Sequence, residues 1–336
     1  MLRAVAFALS ILLVACSAAP AAAPSATPAA SATVAAASPS PTPASTTAAP
    51  IASLTPIPLP SIAQLSAPSG SIVWALVGGT RLFRSTDRGD TWQERARPAQ
   101  PLNGQVSFVD DHEGWEAVVG SAATGCQAQL VTISHTVDAG ATWQQLPANG
   151  LSGSQCKGPL YFASSSSGYL AAFDRDHSPL VYFTTTGGLS WTASRPLTDP
   201  PGFTTTPAGS ALTPVSIRAF GTVALADVTG QSAHHVYRSS DGGATWTYAS
   251  TAPALAITFV TATRWLQIGA PGESKETTDG GAGWHAFTTD YSQAAPIAPA
   301  ITFGDAQVGY ATVRGVIQRT VDGGVHWSLI RTPGTF

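Results

Sequence analysis

Lysine is nearly missing from this 336-residue chain, with Lys157 and Lys275 its only examples. Charged residues of both signs make up 10% of it and the formal net charge is −3, against roughly 25% charged in an ordinary soluble domain. A nucleic-acid partner is excluded on this ground, because neutralising phosphates needs clustered Lys and Arg. A polybasic membrane patch is excluded by the same argument. No apolar run approaches the ~20 residues that a spanning helix needs. Metal-binding spacing is also lacking. The seven histidines are scattered, and the adjacent His234 and His235 point to opposite faces of a strand. No phosphate-binding loop and no Ser-His-Asp spacing stands out. Neither a metal nor a cofactor is expected.

Glycine and proline are plentiful, at 32 and 26 residues, which favours many turns over long helices. The chain opens Met1-Leu2-Arg3, and a short apolar stretch runs to Leu13-Val14-Ala15-Cys16. A positive start followed by an apolar core of this size is the pattern of a signal peptide, expected over residues 1–15. The segment before Cys16 resembles the lipobox of bacterial lipoproteins, which implies lipidation at Cys16. An ordinary secretory cleavage nearby is the alternative. Residues 17–60 are almost wholly Ala, Pro, Ser and Thr, without a charge. Such a segment buries too little apolar surface to offset its ordering entropy. Residues 16–60 are therefore expected to form a lipidated Cys and a tether. The expected location is extracytoplasmic, anchored to a bacterial membrane.

The remainder, residues 61–336, is a repeat. An octapeptide ending in Trp recurs around Asp87 and Trp92, Asp138 and Trp143, Asp241 and Trp246, Asp279 and Trp284, and Asp322 and Trp327. A sixth copy ending at Trp191 carries Thr186 where the others carry Asp. Successive tryptophans stand 51, 48, 55, 38 and 43 residues apart, a period that suits four-stranded propeller blades. The local chemistry is that of a hairpin staple. An Asp carboxylate accepts backbone N–H groups across a tight turn, glycine supplies positive φ, and Trp buries a large ring at the start of the next strand. Within a unit, apolar and polar residues alternate as strands require. Examples are Val106–Val109, Gly114–Val119, Leu130–His135 and Trp143–Leu146. The expected fold is all-β, a six-bladed propeller of four-stranded blades. A seventh blade within residues 192–245 is the alternative.

The octapeptide resembles the Asp-box of bacterial sialidases, sortilin-type receptors and xyloglucanase-type hydrolases. The fuller pattern is similar to the photosystem II assembly/stability factor repeat. Phe108-Val109-Asp110 with Gly114-Trp115, and Phe303-Gly304-Asp305 with Gly309-Tyr310, carry that likeness. It implies a non-enzymatic assembly scaffold with a protein partner. The wider Asp-box likeness leaves a glycan partner or a glycoside hydrolase as the alternative. A sialidase would need an arginine triad for a carboxylate and catalytic Tyr, Glu and Asp residues. The Arg-Ile-Pro signature is missing from Thr80–Arg84, and none of Glu94, Glu113, Glu116, Glu273 and Glu276 stands in a catalytic context. No catalytic residue is assigned.

Strand alternation places second-to-third loops and blade connections on one face, the connection face. Loops on rigid scaffolds carry function. Arg81, Arg95, Asp174, Arg175, Asp176, His177, Tyr291 and Arg314 are its candidate binding residues, and the long connection 195–214 is a candidate partner loop. Cys126 and Cys156 fall on the same face. Export to an oxidising compartment favours a disulfide between them, with two free thiols as the alternative.

Overall fold

Six octapeptides staple six blades. In a computed structural model of the chain, residues 63–98, 104–174, 178–203, 212–253, 255–291 and 299–335 are described. They form six four-stranded antiparallel sheets, each from four consecutive strands, arranged as a six-bladed propeller. The blades span residues 63–95, 104–146, 156–193, 213–253, 258–286 and 300–330. The interval that could have hidden a seventh blade holds a single blade with long strands instead. Thr213–Phe220, Val223–Gly230, Ala233–Ser239 and Thr247–Pro253 are seven or eight residues each.

The octapeptide turns share one hydrogen-bond pattern. Thr91 N donates to Asp87 Oδ1 at 2.9 Å and Thr91 Oγ1 to Oδ2 at 2.5 Å, while Ser85 Oγ donates to Oδ1 and accepts from Gly89 N. Asp138 and Asp241 repeat it with Thr142 and Thr245. In the degenerate copy Thr186 Oγ1 accepts from Ser190 N at 3.0 Å, so a hydroxyl replaces the carboxylate. The glycine two residues after the Asp position has φ between 78° and 101° in each turn, as at Gly243 (φ 100). A Cβ there would stand 2.8 Å from the Tyr169 ring of the preceding blade, so glycine is required for conformation and for space.

A second device closes the first hairpin of every blade except blade 4. Asp110 Oδ1 accepts from His112 N and Glu113 N, and Asp305 Oδ1 from Gln307 N and Val308 N. Ser69, Ser164 and Thr261 hydroxyls do the same in blades 1, 3 and 5. Gly114, Gly168 and Gly309 pair across the hairpin with Phe108, Phe162 and Phe303. The phenylalanine ring occupies the space where a Cβ of the glycine would lie, which explains the Phe…Gly-aromatic pattern.

The core is a set of seams between blades. Trp74 of blade 1 stacks on Phe108 of blade 2 with centroids 3.7 Å apart, and Trp115 of blade 2 on Phe162 of blade 3 at 3.8 Å. Trp143 and Trp191 meet those phenylalanines edge-on. Trp74, Trp115 and Trp265 are fully buried. Of the octapeptide tryptophans, Trp191 and Trp246 are buried, whereas Trp92, Trp143, Trp284 and Trp327 are half-buried. First strands line a central channel and are tied through side chains. Gln64 Oε1 and Ser66 Oγ accept from Val106 N and Phe108 N, and Gln105 Oε1 and Ser107 Oγ from Leu160 N and Phe162 N. The ring closes without an exchanged strand. Arg319 of blade 6 binds Asp90 and Arg88 O of blade 1, and Arg81 of blade 1 donates to Gly334 O.

Candidate functional site on the connection face

The outermost strands are mostly two or three residues long. Chain leaving one blade therefore passes directly beside the octapeptide of the next. Trp143 Nε1 donates to Ala96 O, Trp191 N to Asn149 O, Arg195 N to Ala244 O, and Trp327 N to Asp290 Oδ1. This geometry relocates several residues expected on an open rim. The Cβ of Arg95 lies 3.3 Å from where a Cβ on Gly140 would stand, against the blade 2 octapeptide. Its Nη2 donates to Gln93, and burial lowers its pKa. Tyr291 is 2% exposed and meets Trp327 edge-on at 5.4 Å. Burial pushes its phenol up to about 12. Arg81 is buried as well. Its Nε and Nη2 grip both oxygens of Glu94 at 2.8 and 2.7 Å, and that bidentate bond raises its pKa. Arg81, Arg95 and Tyr291 therefore hold seams, and Arg314 stays exposed at a hairpin tip with φ 51.

Asp174 is buried at 8% exposure and lines a cleft of about 550 Å³ with Gln127, Ser154, Gln155, Leu180 and Pro196. Arg175, Asp176 and His177 lie outside the described residues, as do Cys16, the signal segment and the tether. The cleft stands where blades 2 and 3 present their connections. A disulfide joins Cys126 to Cys156 with Cα atoms 4.8 Å apart, tying the second-to-third loop of blade 2 to the start of blade 3. Cys126 and Gln155 adopt φ of 62° and 71°, a conformation uncommon for side-chain-bearing residues. Lys157 is buried beside them. Its Nζ donates to the carbonyls of Gln129, Ser154 and Gln155 at 2.8–3.1 Å, and burial lowers its pKa. The ammonium thus fixes the cleft wall. The long connection begins as packed structure, with Leu197 1% exposed and its N–H on Pro179 O. Residues 204–211 lie outside the described residues.

Several acidic groups elsewhere are engaged. Glu116 binds Arg97, and desolvation, opposed by that arginine, raises its pKa. Glu276 holds Arg264 and His285, Glu113 holds His135, and Asp227 accepts from His234. His234 and His235 do diverge, with His235 bonded to Thr251. Asp110, Asp111 and His112 bring ligand atoms within 4.8 Å of one another, yet Asp110 caps its own turn and Asp111 pairs with Arg84 and His112.

No family model matches the chain, and no curated protein matches it. Solved structures do. YCF48 from Cyanidioschyzon merolae is 18% identical over 82% of this chain and 87% of that chain, with a TM-score of 0.50. A structure of YCF48 bound to a D1 peptide is 17% identical over 80% and 95%, with a TM-score of 0.45. The GH74 enzyme of Niastella koreensis is 14% identical over 80% of this chain and 46% of its own, with a TM-score of 0.49. At these identities the likeness establishes a β-propeller and nothing finer.

Proposed function

We propose that the chain is an extracytoplasmic lipoprotein whose propeller, built on Asp-box turns, is a non-enzymatic scaffold that binds a protein partner through its connection face. The cleft beside the disulfide carries this reading. It has a wall fixed by Cys126–Cys156 and Lys157, and Asp174 is the one acidic residue lining it among the described residues. Rigid scaffolds that present loops in this way suit recognition. A hydrolase with two carboxylates would need a second acid facing the first.

Two experiments test it. Labelling cells with an alkyne fatty acid tags the wild-type chain and leaves Cys16→Ala untagged; equal labelling removes the anchor. Affinity capture after crosslinking in the native membrane recovers one reproducible protein, at least about tenfold depleted with Asp174→Lys, a change worth roughly 1.4 kcal/mol. Unchanged recovery with that variant contradicts the proposed face. Cleavage of a glycan that depends on one carboxylate would replace the scaffold reading with a hydrolase.

A further inference from the structure

The first strand of blade 4 carries an arginine into the central channel. Arg218 reaches past blade 5 to blade 6, where Nη1 donates to Thr302 Oγ1 at 3.1 Å and Nη2 to Phe303 O. Its guanidinium carbon lies 5.6 Å from the Phe220 ring. All these partners are neutral. Nε is buried without a hydrogen-bond partner, and so is Ser216 Oγ two residues earlier on the same strand. The channel, about 270 Å³, is lined by residues of all six blades, and no Asp or Glu is among them. No ion pair to Arg218 exists among the described residues. At other seams Arg81 and Arg97 each hold a glutamate. A desolvated cation without a counter-charge is costly, and buried donors without partners call for one.

The backbone presents this group to a ligand. A β-bulge between Pro214 and Ser216 shifts the strand register. Val215 is left 44% exposed at the connection end of the channel, and bulges of this kind re-aim side chains next to sites. Arg218 lies three residues deeper. The remaining lining supplies hydroxyls and an amide, Tyr161 and Thr258 among them.

We propose that the central channel binds a small oxyanion, a carboxylate or a phosphate, which enters from the connection face and pairs with the Arg218 guanidinium while Ser216 Oγ donates to it. A guanidinium suits both ligand chemistries, because its fork of N–H groups matches their oxygens. The inference stands apart from the partner on the connection face, since it concerns an interior group.

The test is titration of the full-length chain with inorganic phosphate and, separately, with acetate, at constant ionic strength set with chloride. Heat of binding and the Arg218 Nε–H resonance are both followed. Saturable binding of at least one anion, with the Nε–H resonance shifting along the same curve, is expected. Phosphate alone or acetate alone identifies the source. Arg218→Gln lowers affinity at least tenfold. Ser216→Ala, which keeps the bonds from Arg218 to blade 6, lowers it severalfold and serves if Arg218→Gln does not fold. Absence of saturable binding by the wild-type chain to either anion overturns the proposal. So does affinity unchanged in either variant.

Discussion

Five aspartates set the chemistry of the octapeptide turns. Asp87 is held down to about 2, chiefly by the Thr91 hydroxyl and then by the Thr91 N–H and Ser85. Asp241 is likewise held at about 2 by Thr245. At Asp322 partial burial pushes upward, but bonds from His326 and Thr320 outweigh it and leave the group at about 2. A folded pKa below the unfolded value of about 3.9 means that the unfolded chain binds more protons between those limits. The stabilisation is present above about pH 4 and is lost as pH falls through about 2. Thermal unfolding midpoints should therefore drop steeply from pH 4 to pH 2. The triple variant Asp87→Asn, Asp241→Asn, Asp322→Asn should begin lower at pH 7 and fall less. An acid slope identical to wild type would show that these carboxylates do not hold the turns. Asp241→Ala alone should cost about 1–2 kcal/mol, as removal of a side-chain cap does. These residues were legible in the sequence because a turn is contiguous, and spacing alone exposes it. Ser69, Ser164 and Thr261, which replace aspartate in the other hairpin, were not, because a lone hydroxyl in a loop carries no signature.

Strands and seams were legible to different degrees. Alternation located the strands of blade 2 to within a residue or two, at Gly104–Phe108 and Gly114–Val119 among others. The seams between blades were not visible, because they join residues far apart in the sequence whose pairing depends on how short the outermost strands are. Arg95 and Tyr291 therefore looked like rim residues and prove to be packed against the next octapeptide. Octapeptide tryptophans also differ in burial, although their motif is the same. The stacked second-strand ring is the stronger anchor. Trp115→Ala, which removes a fully buried ring stacked on Phe162 and its Nε1 bond to Gly187 O, should destabilise by about 3–5 kcal/mol. Half-buried Trp92, whose Nε1 has no partner, should cost measurably less when changed to Ala. Denaturant unfolding of the two variants decides it. Equal losses would mean that the stacked seam is not the core.

At the scale of the whole ring, closure and the disulfide matter most. Closure includes Arg319 to Asp90 and Arg81 to Gly334, contacts between the two ends of the propeller sequence that no local pattern reveals. The Cys126–Cys156 bond encloses a loop with a sequence separation of 30. Chain-entropy arguments give such a cross-link about 3–4 kcal/mol. Reductant should lower the unfolding midpoint of the wild-type chain, and Cys126→Ser with Cys156→Ser should match the reduced protein. A midpoint insensitive to reductant would show that the bond does not restrain the fold. The central claim is that the connection face, at the disulfide cleft, meets a protein. Its most direct test is photo-crosslinking in intact cells, with the photoreactive residue at Gln127 beside the cleft or at Thr245 in an octapeptide turn. One discrete protein adduct is expected from position 127 and none from position 245. No adduct from position 127, or the same adduct from both, would contradict it.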